Sequence, residues 1–241
     1  MKFKAVIDGG KLRAALKAID AIAETTLFRV SSEGISTAAI DPATVAMVSL
    51  AVKRSAFDFY ECEEGEFAVD VRDLLPMIES DTTTIEIDDA KKRLKIVSGK
   101  TTFGLGLIDP STVKKHPRLP DLSFPGCVAI DAGELGRAVK KFLTIMDKRD
   151  SIAIDFQEKI LSIEGGNQIS DLKVEWPMDD IVVRWGEGRA MFSIDYLSTI
   201  LSALSGKVEL STFTDSPLLI SSVGDDISIT YVIAPAIQVD D

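Results

Sequence analysis

Four of the nine prolines stand between Asp109 and Gly126, close to the middle of a 241-residue chain. Each proline fixes its own φ, lacks a backbone N–H and pushes the preceding residue out of the α region. Neither a helix nor a central strand survives that spacing. The stretch 110–126 is therefore read as an extended, semi-rigid connector, with one domain over 1–109 and another over 127–241. Each is of ordinary domain size.

The two halves resemble each other. Asp8, Gly10, Leu12, Ala15, Lys17 and Ile22 correspond at one constant offset to Asp131, Gly133, Leu135, Ala138, Lys140 and Ile145. Phe67-Ala68-Val69-Asp70 matches Phe192-Ser193-Ile194-Asp195, and Ile85-Glu86-Ile87 matches Val208-Glu209-Leu210. Three matches in the same order indicate a tandem duplication. Each half reads as a short strand, an amphipathic helix (11–23, then 134–146), a run of strands, a short helix (71–80, then 195–204) and a three-strand meander. Pro76 sits inside the first short helix. Much strand with two helices per half predicts an α+β fold, with helices gathered on one face of antiparallel sheet.

Charge is informative only when located. The net charge of −11 argues against a nucleic-acid binder if taken as a total, yet a basic stripe can sit on an acidic protein. On the helix from 134, Leu135, Ala138, Val139, Phe142 and Met146 form the apolar side. Arg137, Lys140, Lys141, Thr144 and Lys148 form the opposite side, with Arg149 near the end. Its counterpart turns Arg13 and Lys17 outward, with Lys11 at its start. Cations repeated on equivalent helices make a surface suited to phosphates rather than to base edges. Of the short helices, the first offers Arg72 beside Asp73 and Glu79. The second presents Ser198, Thr199, Ser202 and Ser205, followed by Lys207.

Nothing in the chain reads as a catalytic centre. His116 is the single histidine and lies in the connector beside Lys114 and Lys115. Phosphate-loop, nucleophile-elbow and zinc-protease motifs are missing. Asp88-Asp89, Asp179-Asp180 and Asp225-Asp226 stand at turns, where aspartate serves the backbone. No metal, cofactor or catalytic residue is expected. Cys62 and Cys127 read as free thiols of a cytoplasmic protein, and the apolar runs are too short to span a membrane as helices.

Four stretches carry a family resemblance. They are Asp8-Gly9-Gly10-Lys11-Leu12 opening the first helix, Gly34-Ile35-Ser36 leading to Ala39-Ile40-Asp41-Pro42-Ala43-Thr44-Val45-Ala46-Met47-Val48, the connector Lys115-His116-Pro117-Arg118-Leu119-Pro120-Asp121-Leu122, and Tyr231-Val232-Ile233-Ala234-Pro235 before an acidic end. Together with the duplication, they make the chain similar to the sliding clamps of DNA replication, the proliferating cell nuclear antigen (PCNA) family of archaeal type. The resemblance covers the whole chain.

That resemblance implies two tandem domains of the DNA-clamp fold, with sheets outside and two helices per domain inside, assembled as a pseudo-six-fold trimeric ring around duplex DNA. It implies a non-enzymatic processivity factor that tethers DNA polymerase and other replication and repair enzymes. Flap endonuclease, DNA ligase and a clamp loader would be partners. Arg13, Lys17, Arg137, Lys140, Lys141 and Lys148 would meet phosphates, with Lys11, Arg72, Arg149 and Lys207 as weaker contacts. Copies would join through edge strands near 101–109 and 169–176, which removes exposed edges. Partner peptides would dock at Ile40, Thr44, Val45, Met47, Leu119, Leu122, Pro217, Ala234 and Pro235. Thr44 departs from the larger residue of the eukaryotic proteins. The alternative is a clamp-fold adaptor that recruits proteins without encircling DNA.

Overall fold

The computed structural model describes all residues except 89–91, 116, 118, 119, 121, 123, 158, 178, 180, 223 and 237–241. His116, Leu119 and the acidic end thus lie outside the described residues. The chain divides into two compact units: Met1–Leu119 with Gly224–Ile229, and Pro120–Val223 with Thr230–Asp241.

In unit 1, β1 (Phe3–Asp8) leads into α1 (Gly9–Asp20). Phe3, Ala5 and Ile7 alternate into the core, as a half-buried strand requires. Asp8 caps α1 by accepting the Lys11 N–H at 2.8 Å. Gly9 is obligatory at this junction, because a Cβ there would stand 2.0 Å from the Glu79 carbonyl oxygen. Strands β2 (Thr25–Ser31), β3 (Gly34–Ile40), β4 (Ala46–Lys53), β5 (Phe57–Cys62) and β6 (Gly65–Asp70) follow. After α2 (Val71–Leu74) come β7 (Thr82–Asp88), β8 (Arg93–Ser98) and β9 (Thr101–Gly106). Within the unit the strand orders are β5-β1-β7-β8-β9 and β4-β3-β2-β6.

Unit 2 repeats the plan with β10 (Cys127–Asp131), α3 (Ala132–Phe142), β11 (Ser151–Gln157), β12 (Ile160–Gly166), β13 (Asp171–Pro177) and β14 (Val182–Arg184). Then come β15 (Gly188–Ser193), α4 (Ile194–Ala203), β16 (Lys207–Ser211), β17 (Leu218–Ser222) and β18 (Ile227–Ile233). Its orders, β14-β10-β16-β17-β18 and β13-β12-β11-β15, match those of unit 1 strand for strand. Asp131 caps α3 through the Glu134 N–H at 2.9 Å, as Asp8 caps α1.

The structure differs from the sequence reading at four points. Two strands go unanticipated, β5 and its counterpart β14; both are edge strands and lack a clean alternation of buried and exposed residues. The first short helix stops at Leu74, and Leu75-Pro76-Met77 continues as a 3-10 turn, because proline cannot donate and crowds the preceding turn. The strand match between halves slips by two. β6 and β15 correspond as 65–70 with 188–193, so the helix cap Asp70 stands opposite Ser193 rather than Asp195. A shift of two leaves every strand side chain on its own face, so residue matching did not sense it.

The fourth difference concerns α3, which ends at Phe142 rather than near Met146. Thr144 Oγ1 donates to the Lys141 carbonyl at 2.7 Å, and Asp147 Oδ1 accepts the Arg149 N–H at 3.0 Å. Such short side chains offer the backbone an alternative to the helix. Lys148 and Arg149 consequently ride an exposed turn.

Candidate nucleic-acid and partner interface

On α3, Leu135, Gly136, Ala138, Val139 and Phe142 are buried, while Arg137, Lys140 and Lys141 are exposed. Phe142 is fully buried, a side chain whose burial contributes about 2–3 kcal/mol. That packing fixes which face of α3 meets solvent. Among the described residues, none of the three cations pairs with a carboxylate, and neither does Lys17 of α1, Lys148, Arg149 or Lys207.

Several exposed cations elsewhere are held by carboxylates. Lys2 pairs with Glu61 at 2.7 Å, Arg29 with Glu66 at 3.1 Å, and Lys173 with Glu164 at 2.9 Å and Glu175 at 2.8 Å. Arg189 bridges Asp155 and Glu164, each at 3.0 Å. Hydrogen bonds from Lys173 and Arg189 hold the Glu164 carboxyl below the usual range. Arg72 pairs with Asp20 at 3.0 Å and with Glu24. Lys11 meets Asp226 at 3.2 Å, and Ser55 donates to the same carboxylate at 2.8 Å. That aspartate serves an ion pair, and among the described residues no acidic cluster is arranged to hold a metal.

Arg13 has a different task. Its Nη1 donates to the carbonyls of Leu75 at 3.0 Å and Ile78 at 2.8 Å. The guanidinium thereby caps carbonyls at the end of the 3-10 turn, which lack further helical donors. Arg13→Ala is expected to lower stability by about 1–2 kcal/mol, read as a lower urea midpoint at unchanged slope.

On α4 the hydroxyls are turned inward on the backbone. Ser198 Oγ donates to the Asp195 carbonyl at 3.1 Å and Ser202 Oγ to that of Thr199 at 2.7 Å. The surface they help to make is polar and uncharged.

Of the peptide-docking residues, Ile40 ends β3, Val45 precedes β4 and Met47 lies in it; all three are half-buried. The loop between them is built on Asp41, which is 4% exposed. Its Oδ1 accepts the N–H groups of Val45 and Ala46, both at 2.7 Å, and its Oδ2 accepts that of Ala43 at 2.8 Å. Thr44 is exposed and lies at φ 62°, where a β-branched residue is strained. Thr44→Asn, which tolerates the left-handed region, is expected to raise stability by about 1 kcal/mol, measured as a higher melting temperature.

In unit 2, Leu122, Pro217 and Pro235 are half-buried and Ala234 is exposed. The chain after β18 is tied down where the Ala236 N–H donates to the Met191 carbonyl of β15 at 2.7 Å. The β12–β13 loop repeats the device of the Asp41 loop: Asn167 Oδ1 accepts the N–H groups of Ile169 at 2.8 Å and Ser170 at 2.9 Å. The organising role of Asp41 escaped the sequence reading, which took Asp41-Pro42 only as turn residues. Its spacing to Val45 and Ala46 was the available signal.

β9 and β13 are each the edge strand of their sheets, at the two stretches read from sequence as edges. Cys62 and Cys127 are free. No helix among the described residues is long and apolar enough to cross a membrane.

Residues 3–101 match the family described as "Proliferating cell nuclear antigen, N-terminal domain". The chain is 35% identical over 243 residues to the DNA polymerase sliding clamp of Methanothrix thermoacetophila, covering 98% of each chain. It is 33% identical over 247 residues to that of Methanosarcina barkeri, covering 99% of this chain and 100% of the other. Among solved structures it is similar to A. fulgidus PCNA bound to the C-terminal region of FEN-1, with TM-score 0.90, 26% identity and coverage of 99% and 100%. PCNA of Thermococcus kodakaraensis gives TM-score 0.86 at 25% identity, covering 97% and 100%. With a duplicated fold matched from end to end, the chain belongs to the proliferating cell nuclear antigen family of DNA polymerase sliding clamps.

Proposed function

We propose that three copies of this chain close into a ring around duplex DNA and tether replication and repair enzymes to it, without catalysing a reaction and without a cofactor. The observation that carries this reading is the cationic face of α3, where Arg137, Lys140 and Lys141 stand together without carboxylate partners on a chain whose net charge is −11. Unpaired cations are free to release counterions from phosphates. Lys17, Lys148, Arg149 and Lys207 extend the contact. Lys11, Arg13 and Arg72 hold intramolecular partners and contribute less. The uncharged hydroxyls of α4 add no strong grip, which suits a protein that slides.

Head-to-tail pairing of β9 of one copy with β13 of the next leaves neither edge open, and a closing rotation gives a ring rather than a filament. Partner peptides, those of a polymerase, a clamp loader, a flap endonuclease and a ligase, set apolar anchors on Ile40, Val45 and Met47 beside the Asp41 loop. Thr44, Leu119, Leu122, Pro217, Ala234 and Pro235 are the remaining candidates. The flap endonuclease assignment draws on the FEN-1 complex of the A. fulgidus relative. We place this activity in the cytoplasm.

The test is light scattering followed by retention on DNA. A trimer that stays on closed circular DNA and runs off after linearisation is the expected result. A stable monomer, released equally from both forms, overturns the reading and leaves the adaptor that recruits proteins without encircling DNA.

A further inference from the structure

The core of unit 1 holds a cavity of about 50 Å³. Every side chain that lines it is apolar, among them Leu12, Ala15 and Leu16 of α1, Phe28 of β2, Phe67 of β6 and Leu74 of α2. The volume exceeds the roughly 10–15 Å³ that one water needs, but no lining side chain offers a hydrogen bond, so the space stays dry. Its lining atoms lack contact partners on one side.

The helices of the two units differ in what they bury. At the offset that relates Gly9 to Ala132, Ile19 of α1 stands where α3 has the larger Phe142. The second helix differs more. α4 runs Ile194–Ala203 and buries Leu197, Ile200 and Leu201. Pro76 stops α2 at Leu74, and Met77, the counterpart of Ile200, is left half-buried.

We propose that this cavity is a binding site for a small apolar ligand of the class of xenon or a short hydrocarbon, held by dispersion and the exclusion of water. Most of the lining is buried, but Leu12 in the first turn of α1 is half-exposed, and rotation of its side chain opens the way in. The ligand fits here because binding fills a void already present and displaces no ordered water. An occupant braces α1 from below. The site is independent of the ring and of DNA.

The experiment is methyl NMR of the full chain under increasing xenon pressure. Saturable shifts are expected for Leu12, Leu16, Ile85 and Leu94, with Leu135 and Val139 of unit 2 as internal controls. Ala15→Val fills the space and is expected to abolish the saturable shifts. Ile96→Val enlarges it and is expected to tighten xenon binding several-fold. Linear, non-saturating shifts of equal size in both units overturn the proposal, as does undiminished saturation in Ala15→Val. Should Ala15→Val fail to fold, unchanged xenon affinity in Ile96→Val overturns it alone.

Discussion

Replacing Arg137, Lys140 and Lys141 together by glutamate is expected to abolish retention on circular DNA at moderate salt, the largest functional effect of any change to this chain. Each phosphate contact contributes about 0.9 to the slope of log affinity against log salt. In a ring of three chains, removing three contacts per chain therefore lowers the magnitude of that slope by up to about 8, and the reversed charges add repulsion. The three side chains are exposed on the face of α3 opposite Phe142, so folding and melting temperature should stay near those of the parent, since surface substitutions of this kind fall within about 0.5 kcal/mol each. The measurement is retention across a salt series, with partner-peptide affinity and solution mass as controls. An unchanged salt slope with intact trimers would remove α3 from the DNA contact and favour the adaptor.

The largest stability effect is expected from Asp41→Ala. Asp41 is 4% exposed, and its carboxylate accepts three backbone N–H groups of its own loop. Truncation leaves those donors without a partner in a place poorly reached by water. Each such loss costs about 1–3 kcal/mol, and partial relaxation of an exposed loop keeps the sum near 3 kcal/mol. For a chain of this length that corresponds to a melting temperature lower by roughly 6–12 °C. The loop also sets how Val45 and Met47 are presented, so peptide affinity should fall in the same variant. Asp41→Asn separates the two effects, because it keeps one acceptor oxygen. It should recover part of the stability, and recovery of peptide binding in step with it would tie recognition to the loop. Peptide binding that survives Asp41→Ala unaltered would move the docking site elsewhere.

The elements themselves were largely legible in the residues. Alternation of buried and exposed side chains gave β1, β4, β7 and β8, because a strand with one covered face must alternate. Asp8 and Asp131 marked the helix starts, because an aspartate followed by glycine and an amphipathic run satisfies the orphan N–H groups of a first turn. The duplication was legible because both halves share a buried stripe, Ala15, Leu16 and Ile19 of α1 against Ala138, Val139 and Phe142 of α3.

What misled was local chemistry with more than one solution. Pro76 was visible, but not that Arg13, distant in sequence, holds the carbonyls of Leu75 and Ile78 at the turn that follows α2. Thr144 and Asp147 were visible, but not that they would end α3 and carry Lys148 and Arg149 onto a turn. The slip of two between β6 and β15 was invisible because a strand repeats every two residues.

Charge divides in the same way. The sequence by itself determined where cations stand along each helix and that α3 presents Arg137, Lys140 and Lys141 opposite an apolar face, because 3.6 residues per turn fixes the face once the buried side is known. It could not say which of those cations are free. Lys11, Arg13 and Arg72 look equivalent to Lys17 and Arg137 in a helical projection, yet the tertiary structure gives them Asp226, the Leu75 and Ile78 carbonyls, and the Asp20–Glu24 pair. Periodicity is a property of the chain, whereas the partner of a charge is set by residues brought close in space. The folded units alone therefore separate the cations that hold the protein together from those left for phosphate.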